Sequence, residues 1–311
     1  MENFIVFNGN IKFSPDERFI AAIGVFDGVH TGHRKIIEAA AALARAHSCR
    51  VLALSFSPHP RALLRPDHRP ELLISECERC RQLLAAGADL CGFINFTSEA
   101  AALAPEAFLE KLRDHAPVDI CGITVGKNWR FGRNGSGDRH TLEKFCAANN
   151  WHLTTVQELE LDGRTVSSTA IRAAISAGFL PLAIKMLGRN ITLDGVVVHG
   201  YQIAGSKLAA PTANLEVAYG VLPPDGVYSG RCRIDGTFYP AAVNIGVAPT
   251  FGNQQRRTEI HLLDYSGSLY GRELTVELNK FLRPERCFAS PDELKVQIAA
   301  DIAAIRKEFG R

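Results

Sequence analysis

Four short apolar runs, separated by helix-like patterns, constrain this chain more than any other feature. FIAAIGVF (Phe19–Phe26), RVLALSF (Arg50–Phe56), DLCGFINF (Asp89–Phe96) and DICGITVG (Asp119–Gly126) are apolar at consecutive positions. A strand with one face in water alternates; a parallel strand covered on both faces reads like these. Between them, His33–Ala46, Ser75–Ala86 and Pro105–His115 carry apolar residues at helical spacing, with Ser75 and Pro105 as start signals. This alternation predicts a doubly wound parallel sheet. Ligands of such sheets bind beyond the carboxyl ends of the strands, so function is sought in the loops that follow these runs.

After Leu187 the texture changes. Short β-rich runs follow at Gly195–Gly200, Gly226–Ile234, Phe238–Gly246, Arg257–Tyr265 and Glu273–Leu282, punctuated by Gly, Pro and Asp. They predict a small antiparallel barrel or sandwich. Pro291–Phe309 reads as a closing helix with Leu294, Ile298, Ile302 and Ile305 along one face. The boundary is expected near Leu187–Asn190, giving domains 1–187 and 188–311. A length of 311 residues suits two domains of ordinary size.

Composition narrows function by exclusion. At 46% hydrophobic and 22% charged, the chain has a globular composition. A net charge of +2 is too balanced for nucleic-acid binding through bulk electrostatics, whereas an anionic small substrate needs only a few local Arg or Lys. No apolar stretch reaches the ~18 residues of a membrane span. The richest run, Ala39–Ala44, is followed by Arg45. The first residues hold no basic segment before an apolar run, so no secretory leader is expected. Of eight scattered cysteines only Cys77 and Cys80 are close, with no second such pair to complete a zinc site. They are expected as free thiols facing core or solvent, as suits a reducing cytoplasm.

The loop Gly24-Val-Phe-Asp-Gly-Val-His-Thr-Gly-His33 leaves the first strand and enters the first helix. Gly24, Gly28 and Gly32 remove side chains where backbone must approach a ligand. The helix N-terminus offers free N–H groups and a positive dipole to phosphate. His30 and His33 can converge on that phosphate. Nucleotidyl transfer needs no protein nucleophile when the acceptor is itself a phosphate. The protein has only to align the reactants and stabilise charge on the transferring group. Taken alone, the residues also allow a glycine-rich turn with two surface histidines, or a metal pair lacking a third ligand. A second element, Val166-Ser-Ser-Thr-Ala-Ile-Arg172, precedes a helical pattern. Ser168 or Thr169 can cap it, and Arg172 lies on the same face as Thr169. Hydroxyls, N–H groups and a guanidinium can then meet one polyphosphate. Alone it reads equally as a capped helix with a surface arginine. Two further strand-end loops, Ser55–Pro60 and Gly126–Gly132, bring Phe56, Trp129, Phe131, Asn128 and Arg130. These can hold a flat heterocycle and its phosphate, although Phe56 and Phe131 can equally cap the core.

In order and spacing, GVFDGVHTGH, SFSPHP, VGKNWRFG and SSTAIR resemble the bacterial bifunctional riboflavin kinase/FMN adenylyltransferase family, the FAD synthetases. The resemblance implies an N-terminal nucleotidyltransferase domain in which His30 and His33 are catalytic. ATP would be bound by Gly24, Phe26, Asp27, Gly28, Ser168, Thr169 and Arg172, with flavin near Pro58, Asn128 and Arg130. The implied reaction joins FMN and ATP to give FAD and pyrophosphate, with Mg2+.

The second half resembles the riboflavin kinase domain of that family, a small six-stranded barrel. The matching pieces are Gly195–Gly200, Pro211-Thr-Ala-Asn214, Asn244–Phe251, Thr258–Asp264, Leu269-Tyr-Gly271 and Leu282–Glu285. A sugar-like hydroxyl attacking a γ-phosphate needs a base, and Glu259, in an otherwise apolar strand, is the candidate. Magnesium takes hard oxygen ligands beside nucleotide phosphates, which Thr212 and Asn214 can supply. The family carries these roles at these positions, and the resemblance places Asn244 beside the flavin. One stretch departs from the family. In Gly200–Pro211, Ala209 and Ala210 stand where Gly and Phe are usual and Ser206 replaces an arginine, leaving Lys207 to meet phosphate. Where that Gly takes φ > 0, alanine strains the loop.

The leading expectation is a cytoplasmic enzyme that phosphorylates riboflavin to FMN and adenylylates FMN to FAD. Its partners are ATP, riboflavin and FMN, with neither nucleic acid nor membrane. The alternative, resting on the 200–211 loop, is an FMN adenylyltransferase whose barrel binds flavin but is inactive.

Overall fold

A computed structural model describes residues 4–7, 14, 16–198, 213–247 and 256–310. Two compact units emerge, Met1–Pro70 with Ser75–Ser168, and Glu71–Ile74 with Thr169–Arg311. The predicted change of texture near Leu187 marks where the barrel strands begin, and the packing division comes earlier, at Ser168.

In the first unit, β1 (Ile5–Phe7), β2 (Arg18–Ile23), β3 (Arg50–Ser57), β4 (Leu90–Asn95), β5 (Asp119–Gly126) and β6 (His152–Val156) form one sheet in the order β1-β4-β3-β2-β5-β6. All neighbours are parallel except β1, which adds an antiparallel edge beside β4. The central strand is buried throughout its apolar run, with Phe19, Ile20, Ala21, Ala22 and Ile23 all fully covered. Burial on both faces is why these strands do not alternate. The connecting helices are α1 (Thr31–Ala46), α2 (Pro60–Leu64), α3 (Glu76–Ala85), α4 (Ser98–Ala102), α5 (Pro105–His115) and α6 (Arg139–Ala148), and β7 (Glu160–Leu161) with β8 (Arg164–Thr165) makes a short ribbon. Ser75 caps α3 by accepting from the Glu78 amide at 3.1 Å, and Pro105 opens α5. The chain lays β3 and β4 on one side of β2, then returns to place β5 and β6 on the other. The loop leaving β2 therefore sits at the reversal of strand order, where such sheets hold their ligands.

The second unit opens with α7 (Ser168–Ser176, from Thr169 on) and α8 (Leu180–Leu187). Six strands follow: β9 (Ile191–Val198), β10 (Ala213–Tyr219), β11 (Gly226–Ile234), β12 (Thr237–Val247), β13 (Arg256–Leu262) and β14 (Glu273–Arg283). They close into a barrel in the order β10-β13-β12-β11-β14-β9, with antiparallel pairing throughout. Inward residues such as Leu215, Val243, Ile245, Ile260, Val276 and Leu278 fill it. α9 (Pro291–Glu308) packs against β12 and buries Ile305. Asp301 on α9 receives the Arg283 guanidinium from β14 at 2.9 Å.

Candidate functional site

The Gly24–His33 loop is held in a shape that few sequences reach. Phe26 and Val29 sit at φ 51° and 38°, and Gly28 at φ 81°. Positive φ is uncommon for any side chain and an outlier for a β-branched one, so this backbone is strained at a candidate site. The Phe26 ring folds back beneath Gly24, where an added Cβ would meet it at 2.8 Å. The result delivers His30 to the N-cap of α1. Its Nδ1 accepts from the His33 amide at 3.2 Å. An imidazole nitrogen that accepts carries no proton, so the neutral His30 ring holds its proton on Nε2.

His33, one turn on, stacks on His30 with ring centroids 3.5 Å apart and planes 19° from parallel. Phe26 meets His33 edge-on at 5.2 Å. Burial, then the His30 ring, then the Arg79 charge hold the His33 pKa well below the usual histidine value. Its Nδ1 is buried without a hydrogen-bond partner among the described residues. The first turn of α1 thus brings two adjacent imidazoles to a helix N-terminus, whose positive dipole suits a phosphate.

Asp27 is fully buried in the same loop. Its carbonyl receives the Ser168 hydroxyl at 2.8 Å. Ser168, expected as a cap, is instead the first residue of α7 and reaches across to the loop. Thr169, exposed, and Arg172 belong to the second unit, where Arg172 donates from Nε to the Glu71 carbonyl at 2.6 Å. Pro58, after β3, follows a cis peptide bond and is exposed. Asn128 and Arg130, after β5, are also exposed, with Arg130 3.7 Å from Asp138. The aromatic residues of these loops pack on one another. Phe56 and Phe131 belong to the core, and Trp129 stacks on Phe131 at 4.7 Å. Only the half-buried Trp129 retains an exposed surface from that set.

In the barrel, strand register gathers three predicted residues. Asn214 lies opposite Glu259, and Glu259 opposite Asn244, across β10, β13 and β12. Directly paired residues share a sheet face. Their sequence neighbours Ala213, Leu215, Thr258, Ile260, Val243 and Ile245 are buried, so the row Asn214–Glu259–Asn244 points out of the barrel interior. Adjacent strands lie about 4.8 Å apart, which puts the row within one small ligand's reach. Asn244 donates to Glu285 at 3.0 Å. Burial raises the Glu259 pKa above the ordinary carboxylate value; Arg257 opposes this and Glu285 adds to it. Lys207 and Thr212, with the whole 200–211 loop, lie outside the described residues.

One residue near the first site escapes sequence reasoning. Arg79 of α3 is 1% exposed and reaches the carboxyl end of β3. An arginine in a helical pattern reads as solvent-facing, and nothing local to ECERCRQLLA marks it otherwise.

Comparison with known proteins connects both sites. The family model described as FAD synthetase matches residues 12–170, and that described as riboflavin kinase matches 187–309. A bifunctional riboflavin kinase/FMN adenylyltransferase of Escherichia coli (strain K12) is 36% identical over 303 residues, covering 97% of this chain and 96% of its own. The relative of that name in Pseudomonas fluorescens is 37% identical, covering 94% of each chain. That of Bacillus subtilis (strain 168) is 31% identical, covering 91% and 90%. A crystal structure described as a macrolide-efflux protein from Streptococcus pneumoniae has a TM-score of 0.83 at 28% identity, covering 94% of this chain and 95% of that one. Among the described residues no helix is long and apolar enough to cross a membrane.

Proposed function

The chain belongs to the family of bifunctional riboflavin kinase/FMN adenylyltransferases, and from that premise we propose which of its residues carry each reaction. It forms FMN from riboflavin and FAD from FMN, with ATP as the second substrate of both steps.

In adenylyl transfer, a phosphate oxygen of FMN attacks the α-phosphorus of ATP and pyrophosphate leaves. His30 and His33 stabilise the charge that develops on the transferring group, His30 by donating from Nε2. Gly24, Phe26, Asp27 and Gly28 shape the loop that brings backbone N–H groups to the phosphates. Ser168, Thr169 and Arg172 are the further nucleotide-binding residues, and Pro58, Asn128 and Arg130 are the flavin-binding ones. The stacked histidine pair at the start of α1, at the reversal of strand order, is the observation that carries this assignment.

In the kinase reaction, the riboflavin hydroxyl oxygen attacks the γ-phosphorus of ATP, ADP leaves, and Glu259 accepts the hydroxyl proton. Asn244 lies beside the flavin, and Lys207 meets phosphate. Magnesium fits the hard oxygen donor that Asn214 offers on the row it shares with Glu259, because the ion takes few protein ligands beside nucleotide phosphates. Asn214 and Thr212 would hold it, and it would neutralise phosphate charge. The setting is the reducing cytoplasm.

The test is product analysis. Given riboflavin, ATP and Mg2+, the protein is expected to form FMN first and FAD after it. FAD formed from supplied FMN, with no FMN ever formed from riboflavin, would withdraw the roles assigned in the barrel.

A further inference from the structure

Arg79 is the largest fully buried side chain of the described residues, and none of the roles above uses it. One guanidinium nitrogen, Nη1, donates to the Ser55 hydroxyl at 3.0 Å and to the Phe56 carbonyl at 3.2 Å. Ser55, itself fully buried, donates in turn to the Val25 carbonyl at 2.7 Å. Val25 is the second residue of the strained loop, so a chain of hydrogen bonds runs from α3 through the end of β3 into Gly24–His33. The face of the Phe93 ring lies 5.7 Å from the guanidinium carbon. Nε of Arg79 is buried and unpartnered among the described residues.

Stability does not require this. A buried cation costs desolvation that well-packed apolar residues avoid, and an unpaired buried donor adds to that cost. A charge kept at such cost beside a reaction centre is expected to serve the reaction. Asp27 and Glu76 are the acids that offset it. Buried Asp27 belongs to the phosphate loop, and Glu76 receives the Ser57 hydroxyl at the end of β3.

We propose that Arg79 is a positioning residue for adenylyl transfer, setting the Val25–His33 loop through its hydrogen bond to Ser55. This rests on the adenylyl-transfer reading of that loop. Burial first, then the His30 ring beside it, then Arg79 from α3 oppose a proton on His33. Arg79 thereby adds to burial and the His30 ring, which already favour the neutral imidazole at His33. A neutral imidazole donates a hydrogen bond to developing charge without binding the ground-state polyphosphate as a full cation would. Catalysis gains from interactions that strengthen only in the transition state.

The experiment uses the full chain with Arg79→Met, Arg79→Lys and Ser55→Ala. Two quantities are read: kcat for FAD formation from FMN, and the His33 titration by NMR of 13C-labelled histidine, assigned with His33→Gln. Arg79→Met is expected to lower kcat by roughly 10²-fold, as a misplaced reaction geometry does, and to raise the His33 pKa toward the ordinary value. Arg79→Lys should leave the His33 titration near wild type and lose less activity. Ser55→Ala keeps the charge and breaks the chain, so kcat should fall with the titration unmoved. A folded Arg79→Met with native kcat overturns the proposal. If that variant does not fold, native kcat in both Arg79→Lys and Ser55→Ala overturns it. Wild-type protein that makes no FAD from FMN would instead remove the adenylyl-transfer reading, and this inference with it.

Discussion

His30 has two tasks that can be separated at the level of single atoms. Its Nδ1 caps α1, which leaves Nε2 as the nitrogen that can donate. Asparagine can still cap, because its amide oxygen accepts from the same backbone N–H. His30→Asn is therefore expected to keep the melting temperature near wild type while FAD formation drops by roughly 10²-fold. Wild-type FAD rates in that variant would remove the histidine from the chemistry. FMN formation from riboflavin should be untouched. Glu259 gives the converse case. Glu259→Gln keeps size and removes the basic oxygen, so FMN formation should fall by roughly 10²–10⁴-fold, with FAD formation from supplied FMN preserved. Burial raises the Glu259 pKa, Arg257 opposes, and Glu285 raises it further. A base with a raised pKa is lost earlier as pH falls. The acid limb of kcat/KM for riboflavin should lie above the ordinary glutamate range, and Glu285→Gln should move it to lower pH. An unmoved limb in Glu285→Gln would mean that Glu285 does not act on the base.

At the scale of elements, the same physics decides what could be read in advance. Four of the five parallel strands are visible in the sequence because burial on both faces forces unbroken apolar runs, whereas β6, only half-buried, carries no such run. The N-cap histidine pair is visible because capping and phosphate binding need particular residues at fixed spacing. β10 is not, since ANLEVAY alternates weakly and its first residues read as a Pro-Thr-Ala-Asn turn. β1, at the sheet edge, is only three residues long. Arg79 is hidden for a different reason. Its burial depends on where α3 lands against β3, which no local pattern states. Tertiary ion pairs are hidden in the same way. Arg283 grips Asp301 through Nε and Nη2 at 3.0 and 2.9 Å, and Gln297 adds a bond at 2.8 Å. The pair is largely buried, with 18% and 10% of the two side chains exposed. Asp301→Ala leaves the largely buried Arg283 without its acid, and is expected to cost about 3 kcal/mol and to loosen α9. Thermal melts and hydrogen exchange along α9 check this; an unchanged melt would mean that Arg283 finds water or another acceptor.

At the scale of the whole molecule, family matching and packing divide the chain differently. The riboflavin kinase match begins at 187, where the barrel strands begin. The compact second unit already includes α7 from Thr169, all of α8, and the distant segment Glu71–Ile74. α8 belongs there for a physical reason. It packs against β9 and β14 and buries Leu180, Ala183, Met186 and Leu187. Three of these are large side chains, each worth about 1.5–3 kcal/mol when fully buried. The inserted segment contributes two carbonyls, Leu72 accepting from the Gly220 amide and Glu71 from Arg172 Nε. A barrel piece cut at 188–311 therefore loses a packed helix, and a piece 169–311 loses only the inserted segment. The longer piece is expected to melt well above the shorter one and to make FMN from riboflavin, while neither makes FAD. Equal melting of the two pieces would show that α8 adds nothing to the barrel. The matching N-terminal cut tests the other site. Residues 1–187 retain Thr169 and Arg172, and 1–168 discard them. FAD formation from supplied FMN should survive in the first and be lost in the second, and equal activity would take α7 out of the nucleotide site.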